Sequence, residues 1–193
     1  MPILAREPDI YPENLLEFAG APQPSDVSWW ALYTLSRREK DLMRKLSSLD
    51  IPFYCPIVPK RTRSPSCRFR VSHVPLFHNY VFLFGSEMQR YQSVTTGCVS
   101  RYMRVVDREE LTRDLAQIHG LIQSGVPLLP ESRLVAGEYV RVRSGPFRGY
   151  EGTVLRREGQ TRLLVAVNFL QQGASILLED CQLESLGSVR QAG

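Results

Sequence analysis

Residues 137–154 read Gly137-Glu-Tyr-Val-Arg-Val-Arg-Ser-Gly-Pro-Phe-Arg-Gly-Tyr-Glu-Gly-Thr-Val154. Val140 and Val142 alternate with Arg141 and Arg143, which predicts a strand with its valines inward and its arginines outward. Gly145-Pro146 is a tight-turn dipeptide, and Phe147 drops an aromatic ring onto the sheet. Gly149 and Gly152 permit backbone conformations or close approaches that a Cβ would block. The stretch is therefore a strand, a turn and a second strand.

More short strands follow. Gly152–Arg156, Leu163–Phe169 and Ser175–Leu178 are apolar segments joined by Gly-rich or charged turns. Strands this short and close together predict a small closed β-barrel over residues 134–186, with a flexible tail at 187–193. Residues 134–186 carry six basic and six acidic side chains. A neutral surface suits a protein partner better than a nucleic acid. Ahead of the barrel, residues 125–133 contain Pro127 and Pro130 and no apolar period, so they are expected to be a linker.

Residues 29–124 follow a different pattern. Trp29 to Leu35 is an aromatic and aliphatic strand, and Ser36 is placed to cap a helix carrying Leu42, Met43, Leu46 and Leu49 on one side. Pro52 ends that helix. Phe53–Val58 reads as an edge strand because of its proline. Lys60 to Arg70 holds five basic residues and no acidic one, a solvated loop or one that touches phosphate. Phe77–Phe84 is continuously apolar, as a central strand is. Glu87–Val94 predicts a short helix and Val99–Val105 a strand. Asp107 with Glu110 then opens a helix along Leu111, Leu115, Ile118 and Ile122. This order predicts an α+β domain, helices against a mainly antiparallel sheet. Residues 1–28, with five prolines and a net charge of −4, are expected to be a mostly disordered acidic leader, in which Leu15, Leu16 and Phe18 are placed for one helical turn.

Composition narrows the function classes. The 193 residues are 43% hydrophobic and 23% charged, as in ordinary globular proteins. No apolar run reaches the ~20 residues of a membrane helix, and the N-terminus lacks a secretory pattern; a cytoplasmic location is expected. The middle segment, 29–133, carries a net charge of +7, which suits a polyanion. Cys55, Cys67, Cys98 and Cys181 form no CxxC pair. Cys67 with His73 and His78 fits no established ligand spacing, so free thiols are expected, with no metal and no cofactor. No nucleophile elbow, P-loop or HExxH motif is present, so catalytic residues are not assigned and an enzyme is not expected.

Two stretches carry a resemblance. Gly137–Val154 resembles the KOW motif, and Phe169 onward to Glu184 resembles the rest of a NusG-type barrel. Pro75-Leu-Phe-His-Asn-Tyr-Val-Phe-Leu-Phe84 resembles the Pro-Leu-Phe-Pro-(Gly/Asn)-Tyr-(aliphatic)-Phe-Val signature of the NusG N-terminal (NGN) domain, with His78 where the family usually has proline. Together the two cover roughly residues 28–186. Asn79 is more similar to RfaH, the specialised relative, than to general NusG.

The resemblance implies a transcription elongation and antitermination factor. Its N-terminal domain would dock on the clamp helices of the RNA polymerase largest subunit through Tyr33, Phe77, Tyr80, Phe82 and Val105. On a strand Tyr80, Phe82 and Phe84 share one face and Val81 and Leu83 the other; one face should be core and one partly exposed. Arg37, Arg38, Arg44, Lys45, Lys60, Arg61 and Arg63 are candidates for contact with upstream or non-template DNA. The KOW domain, with Gly145, Pro146, Phe147, Gly149 and Gly152, would recruit Rho or a small-subunit ribosomal protein, and the factor is expected to be a monomer. The alternative is a ribosome-associated KOW-type RNA-binding protein.

Overall fold

The computed structural model describes residues 8–22, 24–63, 69–133, 137–157, 159–178 and 182–188. Two compact units divide the chain, Met1–Thr112 and Arg113–Gly193.

The first unit contains β1 (Ile10–Tyr11), α1 (Leu15–Gly20), β2 (Ser28–Thr34), α2 (Glu39–Ser48), β3 (Phe53–Tyr54), β4 (Ile57–Arg63), β5 (Phe69–Pro75), β6 (Tyr80–Gly85), α3 (Glu87–Thr95), β7 (Val99–Arg104) and the first residues of α4 (Arg108–Gln123). A five-stranded antiparallel sheet has the order β1-β3-β6-β2-β7. The apolar β6 is thus central, as its composition predicts. β4 and β5 form a separate two-stranded ladder, pairing Ile57 with Pro75 through Arg63 with Phe69. The basic run from Lys60 is therefore largely strand; residues 64–68, with Cys67, lie outside the described residues.

One sheet face meets α2. Trp30, Leu32, Val81 and Leu83 cluster with Leu42, Met43 and Leu46. Burying each leucine contributes about 1.5–3 kcal/mol, which explains why the helical stripe is core. Ser36 does not cap this helix. Arg38 occupies the N-cap position, with no side-chain cap bond, because Arg37 turns the chain at φ 60. Ser86 does cap α3, in a reciprocal box with Gln89. The Asp107 carboxylate likewise accepts from the Glu110 N–H at 2.8 Å.

The leader expectation needs correction within residues 8–22. Ile10 pairs with Tyr54 and Tyr11 with Phe53, and Leu15 is completely buried. Prolines around the segment disguised two short apolar pieces that dock on β3 and on the sheet face opposite α2. There Phe18 meets the Phe84 ring edge-on at 6.0 Å, and the Trp29 indole donates to Thr112 Oγ1 at 2.9 Å.

The second unit joins the rest of α4 to β8 (Leu129–Glu131), β9 (Glu138–Val142), β10 (Glu151–Arg157), β11 (Gln160–Val167), β12 (Gln172–Leu177) and β13 (Leu183–Ser188). These strands form an antiparallel sheet in the order β13-β9-β10-β11-β12-β8. β13 and β8 are its two ends, so strand pairing among the described residues does not close it into a ring. β8 lies in the expected linker. It is held by a buried chain in which Arg162 Nε donates to Ser175 Oγ at 3.0 Å and Ser175 donates to the Glu131 carboxylate at 2.8 Å. A linker reading from prolines misses this, because Pro130 sits on an end strand where its missing N–H costs nothing.

The opening stretch behaves as its residues dictate. Val140 and Val142 are buried, whereas Arg141 pairs with Glu151 and Arg143 with Glu184. Phe147 is buried, and Gly149 turns the chain at φ 91. A Cβ on Gly152 would lie 2.3 Å from the Leu164 carbonyl oxygen, so only glycine lets β10 and β11 approach here. The second part of α4 meets this sheet through main-chain donors. Gln117 Oε1 accepts from Glu151 N and the Asp114 carboxylate from Asn168 N, each at 2.9 Å.

Candidate protein-docking and nucleic-acid surfaces

Burial decides which aromatic residues are available to a partner. Phe77, Phe82 and Val105 are 2%, 0% and 3% exposed and belong to the core. Phe77 and Phe82 meet edge-on at 6.3 Å. The expectation that one face of β6 is core and the other exposed needs correction, since Val81 through Phe84 are all buried. A central strand covered on both sides grades exposure along its length, and it is Tyr80, at the start of β6, that is half-buried.

Tyr80 faces Tyr33 across the strands, and Tyr33 faces Arg101 on β7. The tyrosine rings meet edge-on with centroids 5.2 Å apart, and the Arg101 guanidinium lies 4.4 Å from the centre of Tyr33. The result is a half-exposed row, Tyr80–Tyr33–Arg101, across three strands. Sequence reasoning missed Arg101. The signal was its place in the alternation of Val99–Arg104, which assigns a face but not a cross-strand neighbour.

The turn beside this row is anchored. Asn79 has φ 65, a conformation asparagine tolerates better than most residues. Its N–H donates to the buried Glu39 carboxylate at 2.9 Å, and its side-chain amide donates to the Tyr33 hydroxyl at 3.3 Å. His78 is exposed and serves the turn, as expected when it replaces proline.

A cationic cleft adjoins the turn. It has a volume of about 1120 Å³ and is lined by Arg37, Arg38, Lys40, Arg44, Lys60, His73 and His78 among others. Four of the seven expected DNA-contact residues are thereby brought together. Lys45 is not among them: it donates to the Thr96 carbonyl at 3.0 Å and lies 3.5 Å from Cys98 Sγ. Arg61 is exposed on β4 but does not line the cleft, and the Arg63 side chain lies outside the described residues. Lys40, His73 and His78 are additions that sequence reasoning did not select. Asp41 sits within the cation group; a hydrogen bond from the Cys98 thiol, with Arg38 and Lys45 nearby, holds its carboxyl below the usual range. Among the described residues no cluster of three or more His, Cys, Asp or Glu is arranged to hold a metal.

Comparison with known families settles the larger assignment. The profile described as transcription termination factor NusG matches residues 27–130, over half of the chain, and the KOW motif matches residues 136–167. The chain belongs to the NusG family. It is accordingly a transcription factor with an NGN region followed by a KOW region, an α+β arrangement. NusG-family proteins act without catalysis, by binding. No match was found among curated proteins. Among the described residues no helix is long and apolar enough to cross a membrane.

Proposed function

We propose that this NusG-family protein docks on the clamp helices of the RNA polymerase largest subunit through the Tyr80–Tyr33–Arg101 row and favours the processive state of the enzyme. The observation carrying this reading is the half-exposed tyrosine pair, held by Asn79 and Glu39 and ending in a cation. Few rigid aromatic anchors with an arginine dominate many interfaces. A factor that binds one polymerase state better than another shifts the population toward it, which suppresses pausing or changes termination.

The cationic cleft supports a second contact, with upstream or non-template DNA. Arg37 and Lys60 make no ion pair among the described residues, so their charge is free for phosphate. Such contacts position a protein without reading sequence. The KOW unit, neutral by charge count, then serves a protein partner such as Rho or a small-subunit ribosomal protein. Asn79 at the docking turn favours a specialised RfaH-like role over a general one.

The test is capture by core RNA polymerase of the Tyr33→Ala, Tyr80→Ala double variant. Loss of capture in a variant with the wild-type far-ultraviolet dichroism and a cooperative urea transition supports the reading. Retained wild-type affinity removes it.

A further inference from the structure

We infer that residues 9–20 form a displaceable strap over one end of the aromatic face of the first unit, and that its opening extends the docking surface that begins at the half-exposed tyrosine pair. The competition with polymerase rests on the function proposed above; the strap itself does not.

Main-chain and side-chain contacts together fix the segment. The Cys55 N–H donates to the Asp9 carbonyl at 2.7 Å, and Ile10 and Tyr11 pair with Tyr54 and Phe53. The Tyr11 ring lies 6.4 Å from Phe53, and its hydroxyl donates to the Asp50 carboxylate. Helix α1 then buries Leu15 and Ala19 and sets Phe18 edge-on against Phe84. Phe84 shares a β6 face with Phe82 and Tyr80, because alternate strand residues point the same way. The segment thus closes the far end of the face whose near end is the half-exposed tyrosine pair. It also pairs the edge of β3, which would otherwise present unpaired main-chain groups.

Three features make this a strap and not a fixed part of the domain. β1 has two residues and α1 six, with no side-chain cap at Asn14, and helices so short do not hold alone. Phe18 remains 47% exposed even while it touches Phe84. The family match begins at residue 27, after the strap, so the shared fold is defined without it. A short, weakly nucleated segment of this kind sits at the low-stability end of a domain and opens locally before the rest unfolds.

The experiment uses the full chain with Leu15→Asp or Phe18→Ala, checked for folding by far-ultraviolet dichroism and a cooperative urea transition, because Trp29 packs on Phe84 beneath the strap and reports its opening. Amide exchange at Cys55 reads the strap directly, since that N–H is bonded to Asp9. Affinity for core RNA polymerase reads the competition. We expect Cys55 exchange to accelerate tenfold or more, and polymerase binding to tighten about fivefold as a closed state is removed. Unchanged Cys55 exchange in folded variants overturns the strap. Faster exchange with unchanged or weaker polymerase binding overturns its masking role. Faster exchange with no polymerase binding by any form, wild type included, sinks the docking proposal and leaves the strap standing. If Leu15→Asp does not fold, Phe18→Ala carries both readings.

Discussion

The main-chain N–H of Asn79 donates to the Glu39 carboxylate at 2.9 Å, across forty residues of sequence, and so ties the turn before β6 to the first turn of α2. Glu39 is buried, so removing its side chain strands a donor away from water. Glu39→Ala should destabilise the protein by about 1–3 kcal/mol, and Glu39→Gln, which keeps an acceptor, by clearly less. Urea unfolding of the three forms measures this. The same bond positions Tyr33 and Tyr80, so polymerase affinity should fall in the order wild type, Gln, Ala.

Arg37, which lines the cationic cleft, occupies a left-handed conformation, φ 60. Glycine would relieve a cost of about 1 kcal/mol but add a similar amount of unfolded-chain entropy. Stability of Arg37→Gly should therefore change by less than about 1 kcal/mol. An arginine at a position that suits glycine is explained if its charge is used. Binding to a DNA duplex with a single-stranded bubble should weaken in Arg37→Gly, with a logarithmic salt slope shallower by about one. An unchanged slope would remove Arg37 from the phosphate contacts.

How far the sequence could be read follows from which interactions are local. The alternation Val140-Arg141-Val142-Arg143 and the turn at Gly145-Pro146 depend on neighbours in sequence, and the structure has them as expected. The apolar stripe of α2 and the centrality of β6 are likewise written in period and composition. In residues 10–20 only the helical turn at Leu15, Leu16 and Phe18 was legible; the docking of the segment was not, because Ile10 and Leu15 acquire meaning only when they meet Tyr54 and the sheet face. Phe82 could not be told from Tyr80 as the more exposed residue, because a period of two assigns a face and says nothing of what covers it. The Arg101–Tyr33 stacking required the β2–β7 register, and the gathering of Lys60, His73 and His78 beside Arg37 required the fold of the β4–β5 ladder.

Gly152 brings β10 within reach of the Leu164 carbonyl, where a Cβ would lie at 2.3 Å. The obstacle is backbone and cannot rotate away. Gly152→Ala should cost about 1–3 kcal/mol or more. Gly149→Ala meets no neighbouring atom and carries only the strain of φ 91, about 1 kcal/mol. Denaturant unfolding followed by a probe in the KOW region should rank them in that order, and a reversal would contradict the strand approach.

Burial raises the Tyr139 hydroxyl to about 12, and the charge of Glu151 and a hydrogen bond to it act in the same direction. A tyrosine whose folded pKa lies above the unfolded value near 10 adds stability that is complete below pH 10. That contribution is lost as pH rises from 10 toward 12. Tyr139→Phe should flatten this part of the stability profile, as measured by chemical unfolding across the alkaline range. An identical alkaline decline in both proteins would assign it to other groups.

Arg101 stands exposed at the end of the aromatic row, held by stacking on Tyr33 at 4.4 Å. Such an exposed pair contributes only about 0.5–1 kcal/mol to folding, so Arg101→Ala should unfold within that margin of wild type. Its effect on binding should be larger. An arginine beside desolvated aromatic residues loses water with them on docking, and truncating an anchor of this kind costs about 1–2 kcal/mol, roughly fivefold to thirtyfold in affinity. Arg101→Lys keeps the charge but not the planar guanidinium that stacks on the ring, and should recover only part of the loss. Titration of core RNA polymerase with the three proteins decides the matter: equal affinities would leave Arg101 as a surface residue that merely rests on Tyr33.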